Sequence, residues 1–203
     1  MTVETADHIK RGRTLEYLTI GWNLIEALVS VIAGVVAGSA SLIGFGIDSL
    51  IESASAFTLL WRLREGEKGQ ERERAALKLV GISFLILAAY IVFEALDSLI
   101  SIESPEVSYA GIAIAALSLI VMPILARAKR GVAADLNSRA MKADSRQTDI
   151  CAYLSLILLI GLGLNALFGW WWADSVAALI MTPIIVKEGI EALRGETCGD
   201  CHC

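Results

Sequence analysis

Six long apolar stretches separated by short polar breaks make up most of the chain. They run over Leu15–Ala37, Ser41–Trp61, Leu79–Ile100, Val107–Ala126, Ile150–Phe168 and Trp170–Val186. A spanning helix needs about 20 apolar residues, and each stretch is near that length, so the pattern predicts six membrane helices. The breaks alternate in charge. Lys10, Arg11 and Arg13 precede the first stretch, and Arg62, Arg64, Lys68, Arg72, Arg74 and Lys78 separate the second from the third. Arg127, Lys129, Arg130, Arg139, Lys142 and Arg146 separate the fourth from the fifth, while Lys187 and Arg194 follow the sixth. The other breaks, Gly38–Ala40, Ser101–Glu106 and the turn at Gly169, hold no Lys or Arg. Basic residues collect on the cytoplasmic side, which predicts an all-α membrane protein, a six-transmembrane-helix bundle with both termini in the cytoplasm.

Composition agrees, since 56% of the 203 residues are hydrophobic, too many for a soluble domain of this size. The expected organisation is a cytoplasmic leader over 1–14, one six-helix transmembrane domain over 15–190 and a Cys/His tail over 191–203. Met1–Arg13 is polar and the next apolar run is a full span, longer than a signal core, so the first helix should be retained. Cys151 falls in a span, and Cys198, Cys201 and Cys203 at a cytoplasmic end where thiols stay reduced, so structural disulfides are not expected. The net charge of −5 says little about partners, and no nucleic acid is expected among them.

The mixed-charge run Arg62–Lys78 should continue helix two into water and turn near Gly66–Gly69, with Glu/Arg neighbours pairing locally. Ala128–Lys142 reads as an amphipathic or extended lead-in to helix five. Trp61 and Trp170–Trp172 fit anchoring at the bilayer interface. Ala33, Gly34, Ala37, Gly44, Gly46, Gly111, Ala113, Ala115 and Ala116 suit close helix packing, and Pro123 and Pro183 fall inside spans.

Carboxylates within the spans carry the functional information, because each costs roughly 2.5–3.5 kcal/mol at a helix centre and does not face lipid unpaired. They are Glu26 in helix one, Asp48 and Glu52 in helix two, Glu94 and Asp97 in helix three, Asp144 and Asp149 at the start of helix five, and Asp174 near the outer end of helix six. Arg146 is the only base expected near them, so some must meet a visiting cation or stay protonated. Asp48 and Glu52 are the sharpest pair. Four residues apart they share a helix face, close to the midplane, and they repel unless a divalent cation or protons neutralise them. Glu94, Asp97 and Asp174 fit an exit vestibule, or more simply interfacial exposure and, for Asp174, stabilisation at a helix N-terminus. His8 sits in the polar leader and should be solvated.

The segment Gly46-Ile47-Asp48-Ser49-Leu50-Ile51-Glu52 resembles the helix-two motif of the cation diffusion facilitator (cation efflux) family, in which an Asp or His is followed four residues later by an Asp. Asn23 and Glu26, Tyr90–Glu94, and Trp172-Ala173-Asp174 leading into Lys187-Glu188-Gly189 are similar to the family in the same order, over about Tyr17 to Leu193. The resemblance implies export of a divalent metal by exchange with protons, commonly in a homodimer, with zinc foremost and manganese, iron, cobalt or cadmium in some branches.

Two departures bear on that inference. The family usually completes a tetrahedral site with a His and an Asp four apart in helix five. Here, aligned on Ala143-Asp144, those positions are Gln147 and Cys151; a rival register uses Asp149, with Ser145 one turn before it. Gln147 and Cys151 share a face and Asp149 points roughly opposite, so both sets cannot meet one ion on a regular helix. The second departure is the expected absence of the family's cytoplasmic domain, in whose place stands Cys198-Gly199-Asp200-Cys201-His202-Cys203. Three thiols and an imidazole suit Zn²⁺ or Cu⁺. The site residues expected to meet metal are therefore Asp48, Glu52, Gln147, Asp149, Cys151, Cys198, Cys201, His202 and Cys203.

The resulting expectation is a metal exporter in the plasma (inner) membrane, with lipid, divalent ions, protons and a second copy as partners and no resident cofactor. A non-transporting metal sensor or accessory subunit that uses the Cys tail is the alternative. A proton-coupled carrier of organic cations would want aromatics around Asp48, and only Phe45 and Phe57 lie near it in sequence. No nucleophile–base–oxyanion set or cofactor loop suggests an enzyme.

Overall fold

A computed structural model describes residues 3–65, 70–101, 105–136 and 139–194. They form six helices and, among the described residues, no strand: α1 Val3–Ala37, α2 Ala40–Glu65, α3 Gln70–Ser101, α4 Tyr109–Asp135, α5 Arg139–Phe168 and α6 Trp172–Arg194. Each apolar stretch forms the body of one helix. The polar flanks prolong the helices instead of ending them. From Val3 onward the leader is part of α1, and only Gly12 interrupts its run of helix-forming residues. Ala128–Lys142 is not an extended lead-in, because α4 continues to Asp135 and α5 starts at Arg139. The expected turn at Gly66–Gly69 and the Cys/His tail lie outside the described residues.

The tight turns have local causes. Gly38 and Gly169 adopt φ of 65° and 66°, left-handed conformations that a side chain disfavours. Ser39 Oγ accepts from Leu42 N at 3.2 Å, and Ser108 Oγ caps α4 by accepting from Gly111 N at 3.1 Å, each satisfying an amide with no partner inside its helix.

Helices α1, α2, α4 and α5 form a ring, α1 against α2 and α4, and α5 against α4 and α2. Helices α3 and α6 pair with one another and lie against α2 and α5. Small residues set these distances: a Cβ on Gly46 would come within 2.8 Å of Val31 Cγ2, and one on Gly81 within 2.7 Å of the Gly189 carbonyl oxygen.

The polarity of the bundle is inverted relative to a soluble one. Leu28, Ile32, Val36, Ile86, Phe93, Ile120 and Ile124 are exposed, while Thr19, Asn23, Ser30, Ser118 and Ser155 are wholly buried. Apolar residues outside and hydroxyls inside suit lipid as solvent. Among the described residues, Asp7–Ala37, Tyr109–Asp135 and Asp144–Phe168 are long and apolar enough to cross a bilayer. Trp170 and Trp172 stack at 5.3 Å between ring centroids on the corner before α6.

One basic residue is not where its position between stretches suggests. Lys129 is part of α4 and fully buried; it faces the bundle interior and not a polar loop. Arg146, expected near the acids, is exposed instead.

Candidate cation site

The inner faces of the four ring helices share a spacing. Buried positions fall at Glu16, Thr19, Asn23, Glu26 and Ser30 on α1; Phe45, Ser49, Glu52 and Ala56 on α2; Ala115, Ser118, Met122, Leu125 and Lys129 on α4; and Asp144, Thr148, Cys151, Ser155 and Leu158 on α5. Steps of three and four alternate, the seam along which neighbouring helices mesh. On α1 every member from Glu16 to Ser30 is polar, a track of about 21 Å at 1.5 Å per residue.

Apolar residues flank this track at both ends. At the end carrying the α1–α2 turn, Leu42, Phe45, Leu158 and Leu162 are buried in the core. At the end carrying the termini, Leu59, Val132, Ala133 and Met141 form a second cluster. Between them the inward side chains of the four ring helices meet in a buried, largely polar layer, which forms the chamber.

Glu26 sits centrally. Its carboxylate accepts from Ser49 Oγ at 3.1 Å, Ser118 Oγ at 3.0 Å and Cys151 Sγ at 3.7 Å, linking α1 to α2, α4 and α5. Ser155 Oγ supports Ser118 at 3.0 Å. Glu52 Oε1 accepts from Thr148 Oγ1 at 2.8 Å. Asp48 is buried beside Ser49, and Cys151 lies within electrostatic reach of Glu26, Glu52 and Asp48.

Toward the terminal end, Lys129 Nζ lies 2.5 Å from Asp144 Oδ2 and 3.2 Å from Glu16 Oε2. It also donates to Thr148 Oγ1 at 3.4 Å. Several polar atoms remain open: Glu16 Oε1, Glu52 Oε2, Asp144 Oδ1 and both side-chain polar atoms of Asn23 are buried with no hydrogen-bond partner among the described residues. Such groups are expensive in a dry interior. As they stand, no three carboxylate, thiol or imidazole groups among the described residues are close enough together to hold a metal ion.

The residues expected from sequence divide accordingly. Asp48, Glu52 and Cys151 are brought to the chamber. Gln147 is half-buried, and the neighbouring Thr148 occupies the seam position that bonds Glu52. Asp149 pairs with Arg130 on a partly exposed flank. Cys198, Cys201, His202 and Cys203 lie outside the described residues. Sequence reasoning missed Glu16, Lys129 and Thr148, although the three-four spacing that contains Ser118 and Cys151 also contains them.

Other acids settle elsewhere. Asp174 is 1% exposed rather than interfacial. It accepts from Ser39 Oγ at 2.6 Å and from Ser41 Oγ, with the Ala40 and Ser41 amides alongside. It thereby clamps the α1–α2 turn to the start of α6. Asp97 is exposed and Glu94 half-buried on α3. His8 is not simply solvated, since its Nδ1 lies 3.1 Å from Asp135 Oδ2.

Residues 17–196 match the cation efflux transmembrane domain. The chain belongs to the cation efflux family. It is an integral, multi-pass membrane protein, and membership places it among cation transporters. It is similar to transmembrane protein 163 of Xenopus laevis, at 26% identity over 94% of this chain and 69% of that protein. An uncharacterized transporter of Methanocaldococcus jannaschii is 28% identical over 86% of this chain and 64% of its own length. An uncharacterized transporter of Synechocystis is 27% identical over 90% of this chain. The chain spans 62% of that third relative.

Proposed function

We propose that the protein exports a divalent transition metal from the cytoplasm in exchange for protons. Its six helices would all span the plasma (inner) membrane with both termini cytoplasmic. The observation that carries this reading is the buried polar layer, in which the Cys151 thiol donates to Glu26 and lies within electrostatic reach of Glu52 and Asp48. Carboxylates so placed need cationic company, and cargo and protons supply it in turn. Loading would draw Glu52 Oε2 and its neighbours together, and rocking of the ring helices would open the site to either side.

Zinc is the cargo that mixed carboxylate and thiol donors favour; Mn²⁺, Fe²⁺, Co²⁺ and Cd²⁺ are the alternatives. Metal binding by the Cys198–Cys203 tail and homodimer formation belong to the same proposal. The test is flux into liposomes containing the purified protein. An acidic lumen should drive Zn²⁺ uptake by molecules whose cytoplasmic face is outward, since protons leave as metal enters, and Asp48→Ala should abolish it. Absence of flux for every ion tried, with metal still bound through the tail, would instead establish the sensor or accessory reading.

A further inference from the structure

Lys129 is a cation fixed inside the cation path. Its ammonium group is fully buried and contacts carboxylates of two other helices, Glu16 at 3.2 Å and Asp144 at 2.5 Å. Through Thr148 it reaches a third: Lys129 donates to the Thr148 hydroxyl, and that hydroxyl donates to Glu52. Lys129 is also within electrostatic reach of Glu52.

The pairing is incomplete on the acid side. One ammonium serves three buried carboxylates, and Glu16 Oε1, Asp144 Oδ1 and Glu52 Oε2 accept no hydrogen bond among the described residues. A purely structural ion pair in a dry interior would have its remaining lone pairs satisfied. These oxygens instead sit around the tethered charge at the terminal end of the chamber, between the apolar cluster of Leu59, Val132, Ala133 and Met141 and the acids beyond.

We infer that Lys129 is a tethered surrogate for the cargo. It occupies a second cation station formed by Glu16, Asp144 and Glu52, and a divalent ion arriving from the terminal end must displace it. This rests on the transporter reading above. A monovalent ion carries no more charge than the ammonium it would replace and lacks its covalent tether, whereas a divalent ion carries twice the charge. Lys129 thus sets a threshold that favours divalent cations, and its displacement removes the lock between Glu16 on α1 and Asp144 on α5.

The test compares the full-length protein with Lys129→Met and with Glu16→Gln/Lys129→Met, all with Cys198, Cys201 and Cys203 replaced by Ser to silence the tail. Equilibrium binding of Zn²⁺ and Mn²⁺ in micelles is measured beside flux in liposomes. Loss of a competing charge a few ångströms from the site should tighten divalent binding by about tenfold or more, and K⁺ should become a measurable competitor. The double variant, in which a charge pair is removed together, guards against misfolding; with one station carboxylate lost as well, it should bind less tightly than Lys129→Met while K⁺ competition still appears. A folded Lys129→Met whose affinity is unchanged or weaker, or a folded double variant in which K⁺ does not compete, overturns the inference. If neither variant folds, reductive methylation of Lys129 in the unsubstituted protein decides: saturating metal should accelerate it, and unchanged protection refutes displacement. Tighter binding in Lys129→Met without flux in the parent protein would overturn the transporter reading but keep Lys129 as the lock. Flux with unaltered affinity would overturn only the role given to Lys129.

Discussion

Asp174 and Glu52 are both carboxylates shut away from solvent, and their surroundings could hardly differ more. Asp174, at the turn end, is met by two serine hydroxyls and the first amides of α2. Glu52, in the chamber, has one hydroxyl on Oε1, while its Oε2 accepts no hydrogen bond among the described residues and the Cys151 thiol lies close by. A carboxylate supplied with donors by its own fold holds helices together. One left partly open is available to something that comes and goes. Burial alone therefore does not separate these two acids; the completeness of their hydrogen bonding does.

That contrast can be tested by direct substitution. Glu52→Gln keeps the shape and the acceptor for Thr148 but removes the charge, and it should lower metal flux by about 30-fold or more, about 2 kcal/mol at tenfold per 1.4 kcal/mol. Its thermal stability in detergent should hold or rise. Asp174→Asn should do the reverse. Turning an NH₂ group toward donors forfeits hydrogen bonds and should reduce unfolding stability by about 1–3 kcal/mol, while flux per folded molecule persists. Were Asp174→Asn to stop transport as completely as Glu52→Gln, the distinction between clamp and site would collapse.

Smaller effects sharpen it. Cys151→Ser exchanges the one soft donor of the chamber for a hard one, so the ratio of Cd²⁺ to Mn²⁺ affinity should fall by about threefold to tenfold, read by competition binding. Ser155→Ala should matter least. Ser155 touches Glu26 only through Ser118, so its loss should shift metal affinity by about twofold at most. A larger shift would mean that the hydroxyl itself reaches the cargo.

Much of this was legible in the chain. The six helix bodies follow from the length of the apolar stretches, and Asp48 and Glu52 stood out because charge in a hydrophobic run is rare. What was illegible has one physical origin. Hydropathy assigns a residue to a span or a loop by its neighbours in sequence, and Lys129 has Arg127 and Arg130 beside it. Its true environment is set by helical phase, in register with Ser118, Met122 and Leu125. Phase also decides which neighbour meets Glu52: a step of four from Asp144 gives Thr148, which donates to it, while a step of three gives Gln147, which is half-buried. Asp174 does lie in the first turn of α6, as the N-terminal reading expects, but nothing local reveals that Ser39 and Ser41 return to it from the other end of the chain.

The ion pair between Glu16 and Lys129 joins the first helix to the fourth, and this has a consequence for biogenesis. During synthesis α1 reaches the membrane before the helix that carries Lys129 has been made, so Glu16 lacks its ammonium partner until α4 arrives. The α1–α4 link can therefore close only after four helices are made, and a chain cut short before Lys129 would leave Glu16 without its charge partner.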